Sequence, residues 1–126
     1  MSNRPYDVIL YGATGITGKL VCEYISNNYS RVKWAIAGKD KPSLDELKKR
    51  LHLNENVGVC AASADDLNAL QQLVSQCRVL VNAAGPYQNV GTQIIEACVN
   101  VGTHYVDVCA ELPFARTVID KFHDEA

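Results

Sequence analysis

Three glycines stand at regular spacing near the start of the chain, Gly12, Gly15 and Gly18, within YDVILYGATGITGKLV (6–21). An apolar, β-rich run leads into them and a run of helical character leads out. Such a loop brings backbone N–H groups to a helix N-terminus, where free donors and the positive end of the helix dipole favour an anion. Each glycine then has its own task. Gly12 makes the tight turn, Gly15 lets the backbone approach a pyrophosphate, and Gly18 lets the helix pack close to the strand. Thr14 and Thr17 can add hydroxyl donors to phosphate oxygens, and Ile16 lies between Gly15 and Thr17 in the same cradle. Turns use glycine for positive φ in any case, so the context carries the weight: strand, loop and helix open a βαβ chain. The ligand expected there is a dinucleotide.

The end of the second strand bears on which dinucleotide. An acid there would accept hydrogen bonds from the adenine-ribose 2′-OH and would repel a 2′-phosphate. The chain instead has Gly38-Lys39-Asp40. Gly38 supplies no carboxylate, Lys39 offers a charge-assisted contact to a phosphate, and Asp40 falls too late unless the strand ends later. NADP is expected over NAD. The fourth strand runs into Asn82-Ala83-Ala84-Gly85-Pro86-Tyr87, a turn that should flank the ribose and nicotinamide. Ala83, Ala84 and Gly85 leave room for a ring, Pro86 fixes the turn, and Tyr87 packs near the nicotinamide.

No catalytic residue can be assigned. The Y-x-x-x-K pair of short-chain dehydrogenases, in which the lysine readies the phenol for proton transfer, is matched only by Tyr29 and Lys33. That match falls between the first helix and second strand, away from any strand's carboxyl end. Asp107 and Glu111, at and just past the fifth strand's end, can accept a proton or serve structure alone. His52, His104 and His123 are too scattered for a metal cluster, so no metal site is expected.

The elements that must hold these residues alternate in period. Strands are expected at Tyr6–Tyr11, Val32–Ala37, Val57–Ala61, Val79–Ala83 and Tyr105–Cys109. The first helix runs from Ile16 to about Tyr29, with Leu20, Val21, Tyr24 and Ile25 sharing one side. The second starts at an S-x-x-E capping box, Ser43 to Glu46, turning Leu44, Leu47 and Leu51 inward and Lys48-Lys49-Arg50 to solvent. A third opens at Asp65 or Asp66, a fourth runs from about Gly91 to Val101 with Gly102 as C′, and a fifth begins near Pro113. Short loops between them predict right-handed crossovers and a doubly wound parallel sheet of about five strands covered by helices. The spacing of the glycines suggests the G-x-x-G-x-x-G variant of short-chain-dehydrogenase-like folds.

With 126 residues, 48% apolar and 21% charged, the chain has the size and composition of one globular domain. A net charge of −2 argues against nucleic acid or anionic membrane as partner. No run is long enough to cross a bilayer, and the N-terminus lacks a secretory h-region. Its five cysteines are scattered without C-x-x-C pairing and read as reduced, buried thiols. The chain is expected to be cytoplasmic. A six-stranded dinucleotide fold needs another strand after HDEA (123–126), so residues 1–126 are expected to be the N-terminal piece of a longer protein.

In YGATGITG (11–18), WAIAGKD (34–40), FHDEA (122–126) and above all VLVNAAGPYQNVGTQIIEACVNVGTHYVDVCAE (79–111), the chain resembles the N-terminal domain of saccharopine dehydrogenase-like oxidoreductases, which include trans-acting enoyl reductases. The resemblance implies an NAD(P)-binding Rossmann-like domain, followed by a substrate and dimerisation domain. Cofactor contacts would fall on the Gly12–Gly18 loop, on Gly38 and Lys39, on Ser63, and on Ala84 to Tyr87. Lys39 stands where Arg is usual, which weakens a bidentate grip on a 2′-phosphate. Ser63 stands where Asp is frequent, and Ala110 replaces the Gly of a D-x-x-G-E element. The function implied is hydride transfer to a C=N, C=O or C=C bond, with substrate groups and any homodimer contacts in the missing half. A non-catalytic NADP(H)-binding redox sensor is the alternative; an epimerase or dehydratase ranks last for want of the Tyr–Lys pair.

Overall fold

The computed structural model describes residues 4–29, 31–84 and 87–107, with backbone alone for 87–90. Strands and helices alternate as β1 (Tyr6–Tyr11), α1 (Ile16–Asn28), β2 (Trp34–Gly38), α2 (Lys41–Arg50), β3 (Gly58–Ala61), α3 (Leu67–Val74), β4 (Cys77–Asn82), α4 (Tyr87–Val101) and β5 (His104–Asp107). All pairings are parallel, in the order β3-β2-β1-β4-β5. The chain moves outward from β1 to β3, crosses back, and continues through β4 to β5. The direction therefore reverses between β1 and β4. Their last residues are level, Tyr11 opposite Asn82 and Asn82 opposite Asp107.

Two apolar layers hold the sheet. On one face Leu10, Trp34 and Ile36 meet Cys22 of α1 and Leu44 and Leu47 of α2. On the other, Ile9, Tyr11 and Leu80 meet Leu70 and Leu73 of α3 and Ile94 and Cys98 of α4. Successive strand residues point to opposite faces, so a strand covered on both sides must be apolar throughout. That explains the apolar runs Val8–Tyr11 in β1 and Trp34–Ala37 in β2. Tyr11 reaches two strands away, its hydroxyl donating to Ala62 O at 2.7 Å; small Ala37 on the intervening β2 leaves it room.

Several helix details differ from the sequence expectation. The second helix starts at Lys41 with Asp40 as N-cap, and Ser43 Oγ donates to Asp40 Oδ2 at 2.6 Å. Pro42 suits the first turn, where a missing N–H costs nothing, so S-x-x-E lies inside the helix rather than capping it. Lys48 is not merely solvated: its Nζ donates to Glu55 O and Val57 O at 3.2 and 2.7 Å, tying α2 to the approach of β3. In α1 the buried positions are Gly18 and Cys22, with Val21 and Ile25 beside them. Leu20 and Tyr24 turn outward, 63% and 57% exposed. The fourth helix begins four residues earlier than the apolar period indicates, at Tyr87 rather than Gly91. Gly102 does take φ +75° after it, with Thr103 N donating to Cys98 O at 2.9 Å. The expected fifth helix, Cys109, Glu111 and His123 lie outside the described residues.

Arg4, ahead of β1, clamps the opposite end of the sheet from the glycine loop. Its guanidinium donates to Cys77 O at 2.6 Å and Val101 O at 2.8 Å, and also to Thr103 Oγ1. Thr103 Oγ1 donates to Val74 O at 2.7 Å. A cation on carbonyls at the ends of α3 and α4 is favoured by both dipoles. Arg4→Ala is expected to lower the unfolding free energy by about 2 kcal/mol, and exposed Arg31→Ala by less than about 0.5, both by urea denaturation.

The buried thiols set a limit at high pH. Burial pushes Cys22 and Cys98 up to about 12 and Cys77 up to about 11, from an ordinary 9.0. A raised thiol means that the fold holds its proton where the unfolded chain releases it. The contribution is whole below pH 9 and is lost as pH rises through 11 and 12. Urea midpoints should hold steady to pH 9 and fall progressively above it, and these thiols should resist iodoacetamide at pH 8 until the chain is unfolded.

Candidate functional site

The carboxyl ends of the strands form the site. Beyond Tyr11 the chain keeps bonding to β2, with Gly12 N and Ala13 N donating to Ala37 O at 2.9 and 3.3 Å, and then doubles back so that Gly15 N donates to Gly12 O at 3.2 Å. Gly12 takes φ +83°, and a Cβ there would lie 2.5 Å from Ala84 N and 2.8 Å from Ala84 Cα. The turn after β4 thus presses on the glycine loop backbone to backbone. A Cβ on Gly18 would collide with Gly12 O and come within 2.8 Å of Ala13 Cα. Gly18 does permit close packing, but against the loop's own backbone rather than the strand.

Gly15 is different. Among the described residues, a Cβ there would meet only Gly12 O, at an ordinary 3.6 Å. None of them requires glycine at this position; a side chain would fill space that they leave open. Gly15 is also the N-cap of α1, without a side-chain cap, and the first turn carries no acid. Thr14, Ile16 and Thr17 are exposed around it, Ile16 at 85%. A helix mouth whose first turn carries no acid, with a cradle that the described residues leave open before it, fits a diphosphate.

On the β2 side, Gly38 is the strand's last residue and its carbonyl accepts from Ala62 N at 2.9 Å. Lys39 follows, exposed, and Asp40 is engaged as the α2 cap. Between the loop and α2 lies a cleft of about 170 Å³ lined by Thr14, Lys19, Ser43, Glu46, Leu47 and Arg50. Arg50 pairs with Glu46 at 2.7 Å on the surface. The sequence reading missed Lys19 and Arg50 here; positions 43, 46, 47 and 50 share one helix face, a spacing that could have shown it. Ser63, past β3, makes a local turn: its Oγ accepts from Asp65 N at 3.3 Å and its carbonyl from Asp66 N at 3.1 Å.

On the β4 side, Ala83 N donates to Tyr11 O at 2.8 Å and Ala84 N to Asn82 Oδ1 at 2.9 Å. Gly85 and Pro86 lie outside the described residues; Tyr87 is the first residue of α4. Tyr29 and Lys33 sit at the amino end of the sheet, where Lys33 N donates to Asp7 Oδ2 at 3.1 Å and Tyr29 stacks edge-on with Tyr24. They cannot serve this site. Among the described residues no group of His, Cys, Asp and Glu could hold a metal ion. No helix among them is long and apolar enough to cross a membrane.

Fold and site together define a Rossmann-like dinucleotide-binding domain. Residues 8–126 match the family model described as saccharopine dehydrogenase NADP binding domain. The chain belongs to that family, and its cofactor is NADP, as the end of β2 led us to expect. It is 30% identical to a saccharopine dehydrogenase-like oxidoreductase of Mus musculus over 136 residues, 98% of this chain and 32% of that protein. It is 32% identical to a trans-acting enoyl reductase of Mycobacterium bovis over 126 residues, 99% of this chain and 30% of that protein. It therefore spans about a third of the length of these relatives. In fold it is similar to apo saccharopine dehydrogenase (L-Glu forming) from Saccharomyces cerevisiae, with a TM-score of 0.73 at 15% identity over 90% of this chain and 24% of that one.

The glycines are separable by experiment. Gly12→Ala forces a side chain onto Ala84 at positive φ and should cost more than about 2 kcal/mol in urea denaturation. Gly15→Ala should stay within about 1 kcal/mol of the parent. Equal costs would mean that the open cradle at Gly15 is not open.

Proposed function

We propose that this chain is the N-terminal, cofactor-holding domain of an NADP-dependent oxidoreductase, with substrate groups and any general acid in polypeptide beyond it. The open cradle at Gly15 is the observation that carries the reading. In it, backbone amides at the mouth of α1, with Thr14 and Thr17, hold the diphosphate. Lys39 faces the 2′-phosphate in place of a repelling acid, and the small turn at Ala83, Ala84 and Gly85 flanks the nicotinamide. Ile16, Gly38 and Ser63 border the same edge. When bound, NADPH supplies the hydride for a C=N, C=O or C=C bond; the protein's part is to hold and orient. The activities for which the relatives are named, among them enoyl reduction, support this class of reaction. A cytoplasmic location and a homodimer of the longer protein belong to the same proposal.

Titration of the 126-residue chain with NADPH and NADH tests it. NADPH should bind in the micromolar range and more tightly than NADH. Gly15→Val should abolish binding with the thermal midpoint nearly unchanged, because the added side chain enters the diphosphate space. Lys39→Glu should weaken NADPH by about tenfold or more and spare NADH. No binding of either nucleotide at millimolar concentration would defeat the proposal. A longer polypeptide that binds NADPH but reduces no unsaturated substrate would favour the redox-sensor alternative.

A further inference from the structure

A row of polar side chains crosses the carboxyl ends of β4 and β5. Asn82 pairs with Asp107 and Leu80 with Tyr105 in the sheet register. Asn82, Tyr105 and Asp107 therefore issue from one face, the face carrying α3 and α4. Asn82 is fully buried. Its Nδ2 donates to Tyr105 Oη at 3.0 Å, and Tyr105 Oη donates to Asp107 Oδ2 at 2.7 Å. The hydroxyl has a single proton. With that proton given to the carboxylate, the oxygen must accept from Asn82, which fixes the amide so that Oδ1 faces Ala84 N at 2.9 Å. Ala84 is in turn the residue whose backbone abuts Gly12. A carboxylate on the last residue of β5 thus dictates, through two side chains, where the turn after β4 meets the glycine loop.

We propose that Asn82, Tyr105 and Asp107 are positioning residues that set the nicotinamide half of the NADP site. The proposal rests on the cofactor reading above. A buried amide is costly unless bonded, and an apolar residue would serve the core of β4 as well as Leu80 does. What the amide adds is a fixed Ala84 N–H at the strand end. The adenosine half of a dinucleotide lies toward β2, where the ribose 2′ position is read. The nicotinamide half then lies on the β4 and β5 side of the reversal point, against the turn that this row holds. Loss of the row should loosen that half alone.

Tyr105→Phe keeps the ring and removes the hydroxyl that joins Asp107 to Asn82. Affinity is measured for NADPH and for 2′,5′-ADP, which carries the adenosine half without the nicotinamide. NADPH binding should weaken about fivefold while 2′,5′-ADP binding stays within about twofold. Amide exchange at Ala84 in the ligand-free chain should quicken about tenfold, with Leu10 unchanged. Asp107→Asn, at the half-exposed end of the row, should move both readings the same way by less. Equal weakening for both ligands, no weakening for NADPH, or an unchanged Ala84 exchange rate would overturn the proposal. A parent chain that binds neither ligand would overturn the cofactor reading itself, and this proposal with it, whatever the exchange rates.

Discussion

The contact between Gly12 and Ala84 is the constraint from which the site follows. Two loops leave neighbouring parallel strands at the same level, and they meet main chain to main chain because Gly12 has no side chain and takes a positive φ. Were either loop displaced by the width of a methyl group, the close approach of Gly12 to Ala84 would be lost. Gly18 extends the same economy of volume to α1, whose first turn rests on the loop itself. Close-packed backbone of this kind is rigid, since each atom is wedged by others that have no rotamers to change.

Electrostatics at the site are local. The chain carries a net charge of −2, so no general field draws a nucleotide. On the proposed reading, attraction comes from the N-terminus of α1, whose first turn carries no acid. Lys19 and Lys39 on the β2 side of the loop add to it, Arg50 being paired with Glu46. Asp40, the acid nearest the end of β2, stands at the N-cap position of α2, and its carboxylate accepts from Ser43. That engagement matters more than the bare count of charges. A carboxylate that accepts from a hydroxyl is less available to a ribose than the same residue left free.

How much of this was legible in the sequence depends on the kind of contact involved. Strands buried on both faces announce themselves as apolar runs, so β1 was bounded correctly at Tyr6 and Tyr11. The glycines are visible because three of them at one strand-to-helix junction leave the main chain bare, and a close approach of backbone requires just that. Arg4 was invisible: nothing local shows that an arginine before β1 will reach carbonyls around residues 77 and 101. The capping box at Ser43 misled because Asp40 and Pro42 satisfy the helix start one turn earlier. Leu20 and Tyr24 misled because an apolar spacing of four fits an outward stripe as well as an inward one, and only the demands of Gly18 choose between them. Asn82 is the one polar residue in the expected strand Val79–Ala83, yet its partners, Tyr105 and Asp107, became apparent only in the sheet register.

On the proposed function, no catalytic side chain need stand among the described residues. Where the cofactor carries the reactive atom, the protein must supply distance, orientation and a counter-charge, and backbone amides supply all three without moving. Such a site leaves glycine and alanine in the sequence where an acid–base enzyme would leave histidine or a Tyr–Lys pair. The cost of errors is also distributed differently. Replacing a catalytic side chain spoils one step, whereas a methyl group at Gly12 or Gly18 displaces every donor in the loop together. Polar side chains then matter chiefly where they hold main chain in place, as Asn82 holds Ala84. In a domain of this design the chemistry-bearing positions are those where a side chain is absent, and the conspicuous polar residues are their supports.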